Sequence, residues 1–289
     1  MRVVSLLPSA TEILFAISAG DEVVGVTHEC DFPPEARSRP KLTSSALPFV
    51  RHAADTDRHV RRRLHEGSSL YHLDADLLAR LRPDLIVTQE LCEVCAVSYG
   101  TVDRAARRLR TDPRIVSLEP SSLEDVFATI AVLGEAVRHE HAATRLTAKL
   151  RARAANLSRR TRRDGAKALR VLVLEWTDPP MSAGHWTPEL VELAGAIPVL
   201  AHPGADSQRL EWEAILAADP DAIVVAACGF DENAARAAVS DLDAIPPWRA
   251  LRAYRQGAVH VMDGNAYVSR PGPRLIESAA IMARLLGRL

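Results

Sequence analysis

The alternation of apolar and polar positions along the chain is written out twice. Asp76-Leu-Leu-Ala-Arg-Leu-Arg-Pro-Asp-Leu-Ile-Val-Thr88 and Glu213-Ala-Ile-Leu-Ala-Ala-Asp-Pro-Asp-Ala-Ile-Val-Val225 follow one design. Each reads as a short amphipathic helix, a proline, and a β-branched run of buried-strand length. Proline cannot continue a helix and pushes the residue before it toward extended geometry. Pro83 and Pro220 therefore end the helices, and Asp84 and Asp221 open the strands. An earlier pair agrees with this one. A strand at Val3–Leu7 leads to a helix at Thr11–Gly20 and a strand at Val23–Thr27; a strand at Val171–Leu174 leads to a helix at Thr187–Gly195. Thr11 and Thr187 stand where N-caps are expected, Pro188 at a first helical position, and Gly20 and Gly195 where left-handed helix ends fall. Strand–helix–strand in both halves predicts an α/β fold of two duplicated lobes with mostly parallel sheets.

Between the halves runs a helical pattern. Ser121-Ser-Leu-Glu124 reads as a capping box, and Val126, Ile130, Leu133, Val137, Leu146, Leu150 and Leu157 fall on one helix face. This predicts one long linking helix over 121–160, on the order of 50 Å, joining an N-terminal lobe at 1–120 to a C-terminal lobe at 161–289.

Composition narrows the function. With 36 basic against 37 acidic side chains and a net charge of -1, nothing points to nucleic acid as a partner. The basic runs Arg58–Arg63 and Arg151–Arg163 lack interleaved aromatics and read as solvated faces. No apolar run reaches the roughly 18–20 residues of a membrane span, so no membrane insertion is expected. Val3–Leu7 is already strand-like and Pro8–Glu12 opens a helix, so the expected location is cytoplasmic. The chain carries no nucleophile elbow, phosphate loop, dinucleotide fingerprint or H-E-x-x-H helix, and a non-catalytic role is expected.

The candidate chemistry gathers at one end of the strands, where ligands of open parallel sheets bind. Four segments follow strand ends: His28–Asp31, Gln89–Cys95, Glu175–Trp186 and Ala227–Phe230. They contain all four cysteines and two of the four tryptophans, a clustering that core packing alone would not give. Cys92 and Cys95 have C-x-x-C spacing, and His28 and Cys30 could complete a tetrahedral shell for zinc or iron. The same thiols could form a redox pair or touch a ligand's metal, or be structural residues beside the site; the residues leave these readings open. Trp176 and Trp186 offer flat aromatic faces to a large ring system, with Met181, Pro179 and Pro180 adding stiff apolar surface. His185 could hydrogen-bond a ligand or serve as an axial ligand to a central metal. The other reading of the tryptophans is as a cap on their own lobe's core. Glu90, Cys228, Tyr71, Tyr267 and Thr43–Phe49 are further rim candidates, and Glu90 and Glu211 are candidate acidic contacts for a partner protein.

The opening Val3-Val-Ser-Leu-Leu-Pro-Ser-Ala-Thr-Glu-Ile13, the segment Gly20-Asp-Glu-Val-Val-Gly-Val26, Leu81-Arg-Pro-Asp-Leu-Ile-Val87 and the terminal Arg270-Pro-Gly-Pro-Arg-Leu-Ile276 carry a family resemblance. Together they resemble the helical-backbone (class III) substrate-binding proteins of ABC transporters, most closely the cobalamin-binding branch. The resemblance covers essentially the whole chain. It implies capture of cobalamin, another corrinoid or a similar metal chelate in a cleft between the lobes, and delivery to an ABC permease. A start without leader or lipid anchor departs from that pattern and brings in a cytoplasmic acceptor protein as an alternative partner. A metal-binding or redox protein built on Cys30, Cys92 and Cys95 is the competing reading.

Overall fold

The computed structural model describes residues 1–46, 53–65, 70–89, 97, 99–162 and 168–289. The chain forms two compact units. The first comprises Met1–Val50, Arg58–Pro120 and Asp125–Ala148; the second comprises Arg51–Asp57, Ser121–Glu124 and Lys149–Leu289.

In chain order the elements leading through the first unit are β1 (Val3–Ser5), α1 (Pro8–Ala16), β2 (Val23–Val26), β3 (Thr43–Ser45), α2 (Ala53–His65), β4 (Tyr71–Leu73), α3 (Ala75–Leu81), β5 (Leu85–Thr88), α4 (Tyr99–Ala106), β6 (Arg114–Ser117), α5 (Leu123–Ala136) and α6 (Glu140–Thr161). The remainder are β7 (Leu169–Thr177), β8 (Pro180–Ser182), α7 (Thr187–Leu193), β9 (Ala196–Pro198), β10 (Gln208–Arg209), α8 (Trp212–Ala218), β11 (Ala222–Val225), α9 (Glu232–Leu242), α10 (Pro246–Ala250), α11 (Arg252–Arg255), β12 (Val259–Val261), α12 (Gly264–Tyr267) and α13 (Leu275–Leu285).

The duplication read from the sequence is a duplication of topology. The first unit's sheet has order β2-β1-β5-β6 with parallel neighbours throughout. In the second unit β9, β7, β11 and β12 lie side by side in the same order, again parallel. That unit adds an antiparallel edge, β8 on β7 and β10 on β8. Central strands are sealed on both faces: Leu85–Thr88 and Ala222–Val225 are buried at every position, as parallel strands covered by helices must be.

The repeated Pro-Asp step does the same work in both units. Arg82 (φ 43°) and Asp219 (φ 38°) end α3 and α8 in left-handed geometry just before Pro83 and Pro220. Asp84 then accepts a hydrogen bond from the backbone N–H of Arg2 at 2.8 Å, and Asp221 accepts one from that of Arg170 at 2.8 Å. Each bond ties the start of a strand to the start of its central neighbour. In the second unit Arg252 also donates to both carboxylates, Nε to Asp219 at 2.9 Å and Nη1 to Asp221 at 2.8 Å.

Local expectations differ from the structure at four places. The first helix starts at Pro8 with Leu7 as its N-cap, because proline fits a first turn where no N–H bond is needed. Thr11 is therefore inside the helix; its hydroxyl bonds the Leu7 carbonyl at 3.2 Å and Ser5 Oγ at 2.9 Å. Thr187 is likewise the first residue of α7, with Trp186 as its N-cap. The left-handed residue after α1 is Ser18 (φ 66°), whereas Gly20 is required because a Cβ there would lie 2.6 Å from the Phe15 ring; Gly195 (φ 79°) does end its helix as expected. Finally, the pattern over 121–160 is two helices, not one. Arg138 (φ 61°) breaks it, with His139 N–H closing onto the Gly134 carbonyl at 2.7 Å. The His139 ring holds the break from both nitrogens, 2.9 Å from the Ile17 carbonyl and 2.9 Å from Glu22.

Each unit has its own apolar core. Val4, Leu6, Leu42, Leu78, Ile86 and Val102 pack the first. Leu172, Leu174, Ile215, Ile223, Val225 and the fully buried Trp248 pack the second.

Candidate functional site

The carboxyl ends of β1, β2 and β5 carry hydroxyls where their mid-strand positions carry aliphatics. Ser5, Thr27 and Thr88 are buried there, with Thr43 from the start of β3 buried beside Thr27, and Thr88 Oγ1 has no hydrogen-bond partner among the described residues. Thr43 organises His28: its Oγ1 accepts from the His28 backbone N–H at 3.0 Å, lies 2.7 Å from ring Nδ1 and meets Thr27 Oγ1 at 2.7 Å. Burial, with a smaller contribution from Lys41, holds the His28 pKa below its ordinary value, so the ring is neutral near pH 7. Its face tilts against Tyr71, with centroids 5.8 Å apart. The structure thus brings two of the sequence candidates, His28 and Tyr71, into one aromatic pair.

Cys30 lies elsewhere in its environment. It is 1% exposed, with Sγ 3.1 Å from Thr11 Oγ1 on α1, and Lys41 Nζ donates to its carbonyl at 2.8 Å. His28 and Cys30 share a loop yet use different partners, Thr43 for the one and Thr11 for the other. Among the described residues no group of three His, Cys, Asp or Glu side chains is close enough to hold a metal ion. Glu90, Cys92 and Cys95 lie outside the described residues.

In the second unit the antiparallel edge builds a platform. Trp176 on β7 stands opposite Met181 on β8, and Met181 stands opposite Arg209 on β10. Directly opposed residues project to one face. Trp176 and Met181 are half-buried. The indole N–H of Trp176 donates to the Asp178 carbonyl at 3.0 Å, and its ring meets Phe230 edge-on at 5.2 Å, a favoured arrangement for aromatic quadrupoles. Cys228 is half-buried with a free thiol, and its N–H ties the loop after β11 to the Glu175 carbonyl at 2.9 Å. Tyr267 ends α12 with the Arg274 guanidinium over its ring at 5.4 Å.

Trp186 is 7% exposed, and its N–H donates to the Val268 carbonyl at 2.9 Å, the burial expected of a cap on its own lobe's core. The His185 ring stacks on it at 5.6 Å. His185 itself sits at φ 53°, with its N–H on the Ala205 carbonyl at 2.6 Å and its carbonyl taking the Gly204 N–H at 3.0 Å. Gly184 lets these two segments cross, since a Cβ there would lie 2.4 Å from the Ala205 carbonyl oxygen. His185 Nδ1 is buried without a hydrogen bond to any described residue, and the Asp206 carboxylate lies 3.9 Å away.

Two duplicated parallel sheets, each with its polar and aromatic residues at the strand ends, set the chain beside known proteins. A family model described as periplasmic binding protein matches residues 3–266. The chain belongs to the periplasmic binding protein family. It is similar to a vitamin B12-binding protein of Pectobacterium carotovorum, 25% identical over 282 residues that span 96% of this chain and 85% of that protein. It is similar also to an uncharacterized ABC transporter substrate-binding lipoprotein of Bacillus subtilis, 24% identical over 290 residues, 98% of this chain and 78% of that one. Among solved structures it resembles a periplasmic haem-binding protein of Vibrio cholerae, with a TM-score of 0.71, 20% identity, and coverage of 99% of this chain and 98% of that one.

Membership of this family makes the chain a solute-binding protein of the class III α/β fold that its sequence resembles. No helix among the described residues is long and apolar enough to cross a membrane. Sequence reasoning placed Phe230 in a strand-end loop without singling it out, and passed over Arg209. Phe230 was within reach, since it closes the loop after β11, but its contact with Trp176 is tertiary. Arg209 belongs to a two-residue strand, too short to leave a periodic signal.

Proposed function

We propose that this protein captures cobalamin, another corrinoid or a comparable metal chelate such as haem, without chemical change, for delivery to an ABC permease. The observation that carries the reading is the Trp176–Met181 platform edged by Phe230, at the strand-end rim of a solute-binding fold. A planar macrocycle needs a wide, preset, mainly apolar surface. Trp176 supplies one with its ring already pinned by the Asp178 carbonyl. Met181 adds a polarizable contact that adapts to an irregular ring edge. His185 brings an imidazole to the same unit on a braced turn, and the neutral His28 with Tyr71 brings a second to the first unit's rim. Either imidazole can hydrogen-bond a chelate or meet its metal. The names of the relatives support corrinoid and haem alike.

Titration of the purified protein with cobalamin, cobinamide and haemin tests this, followed by visible absorbance and tryptophan fluorescence. At least one is expected to bind more tightly than about 10 μM, roughly 7 kcal/mol. Absence of binding by all three would overturn the proposal.

A further inference from the structure

The platform has a charged end. Across the three strands β7, β8 and β10 the row reads aromatic, thioether, guanidinium: Trp176, Met181, Arg209. Two strand spacings of about 4.8 Å place the ends of that row about 10 Å apart at the backbone, the scale of a macrocycle rather than of a single small group. Arg209 is exposed, and its side chain makes no hydrogen bond or ion pair with any described residue. Other arginines of this unit are engaged: Arg252 with Asp219 and Asp221, Arg236 with Glu232, and Arg151 with Glu124.

We infer that Arg209 recognises an anionic group on the periphery of the ligand, so that the preferred ligand is a planar metal chelate bearing a phosphodiester or a carboxylate. This rests on the reading of Trp176 and Met181 as the surface on which the ring lies. A guanidinium presents a planar fork of N–H donors that matches carboxylate and phosphate oxygens two at a time. Placed at the edge of an apolar platform, it meets the one part of a macrocycle that the platform leaves uncovered. A neutral chelate would gain nothing there. The nearby acids do not occupy it: Asp206 lies towards His185 at 3.9 Å, and Glu211, two residues further on, is the N-cap of α8 and makes no ion pair with Arg209.

Two pairs of probes differ in this group. Cobalamin carries a phosphodiester that cobinamide lacks, and haemin carries two carboxylates that its dimethyl ester lacks. In at least one pair the wild-type protein is expected to favour the anionic member by about tenfold, the size of a charge-assisted hydrogen bond at a partly wet site. Arg209→Gln is expected to bring that preference to within about twofold of unity while leaving affinity for the neutral member unchanged. Arg209→Lys is expected to keep part of it. Lys149→Gln, an exposed cation on α6, serves as the control for general charge and should leave the preference intact. An Arg209→Gln protein that keeps the preference, or loses both members equally, overturns the inference while the proposed function stands. So does a wild-type protein that binds both members of each pair alike. Failure of the wild type to bind any of the four removes the proposed function itself, and this inference with it.

Discussion

Replacing Trp176 with alanine removes the flat face on which the proposed ligand rests. The indole is half-buried, its N–H already bonded to the Asp178 carbonyl at 3.0 Å and one edge already against Phe230. Little rotamer freedom is left to lose on binding, which otherwise costs about 0.5–1.5 kcal/mol for a flexible side chain. A tryptophan buries about 150–250 Å² when fully covered. With at most about a third of that still open, a ligand lying on it covers about 70 Å². At about 25 cal/mol per Å² this is about 1.8 kcal/mol, or roughly 20-fold in Kd. Trp176→Phe should keep much of the face and lose less than about tenfold. The assay is an equilibrium titration with whichever chelate binds the wild type. Urea unfolding run in parallel should show a small stability change, because the side chain is only partly buried. A loss below about threefold for Trp176→Ala, against a binding wild type, would refute the role assigned to the platform.

Three further outcomes follow from the same geometry. Trp186→Phe, which strands the Val268 carbonyl, should lower stability by about 1–2 kcal/mol in urea unfolding and change ligand affinity less than threefold. Gly184→Ala drives a Cβ to 2.4 Å from the Ala205 carbonyl oxygen; backbone must move, and a loss of about 2–3 kcal/mol is expected. For His28 the folded-state pKa is depressed below 6.5 by burial and by Lys41. The unfolded chain therefore takes up a proton first as pH falls, and stability drops through 6.5 until the folded pKa is passed. Thermal melts between pH 5 and 7 should show a steeper fall for the wild type than for His28→Gln, with the two curves parallel above pH 7.

The architecture was legible because proline and β-branched residues punctuate it. Pro83 and Pro220 stop helices for reasons local to their own rings, and the strands behind them are buried at every position. The break near residue 138 left no such mark. Its left-handed residue is an arginine, Arg138, and what holds it there is His139 meeting Ile17 and Glu22 from far along the chain. Thr11 and Thr187 misled in a smaller way, since each lies within the first turn of a helix that a proline helps to start. At the site, Trp176 and Trp186 looked alike as residues of one loop. Their difference is that Trp186 is buried with its N–H on the distant Val268 carbonyl, and burial of that kind belongs to tertiary structure. Cys30 was likewise ambiguous until Thr11, nineteen residues before it, turned out to be its neighbour.

The carboxylates of Asp84 and Asp221 pin the amino ends of the strands, the opposite ends from those near which His28 and Trp176 stand. Bracing and the proposed capture are thus lodged at different poles of each sheet. On that proposal, sequence change in the loops retunes the cargo without loosening the frame beneath. A scaffold divided in this way lends itself to exchange of ligand preference by loop grafting, with Arg2, Asp84, Arg170 and Asp221 left untouched.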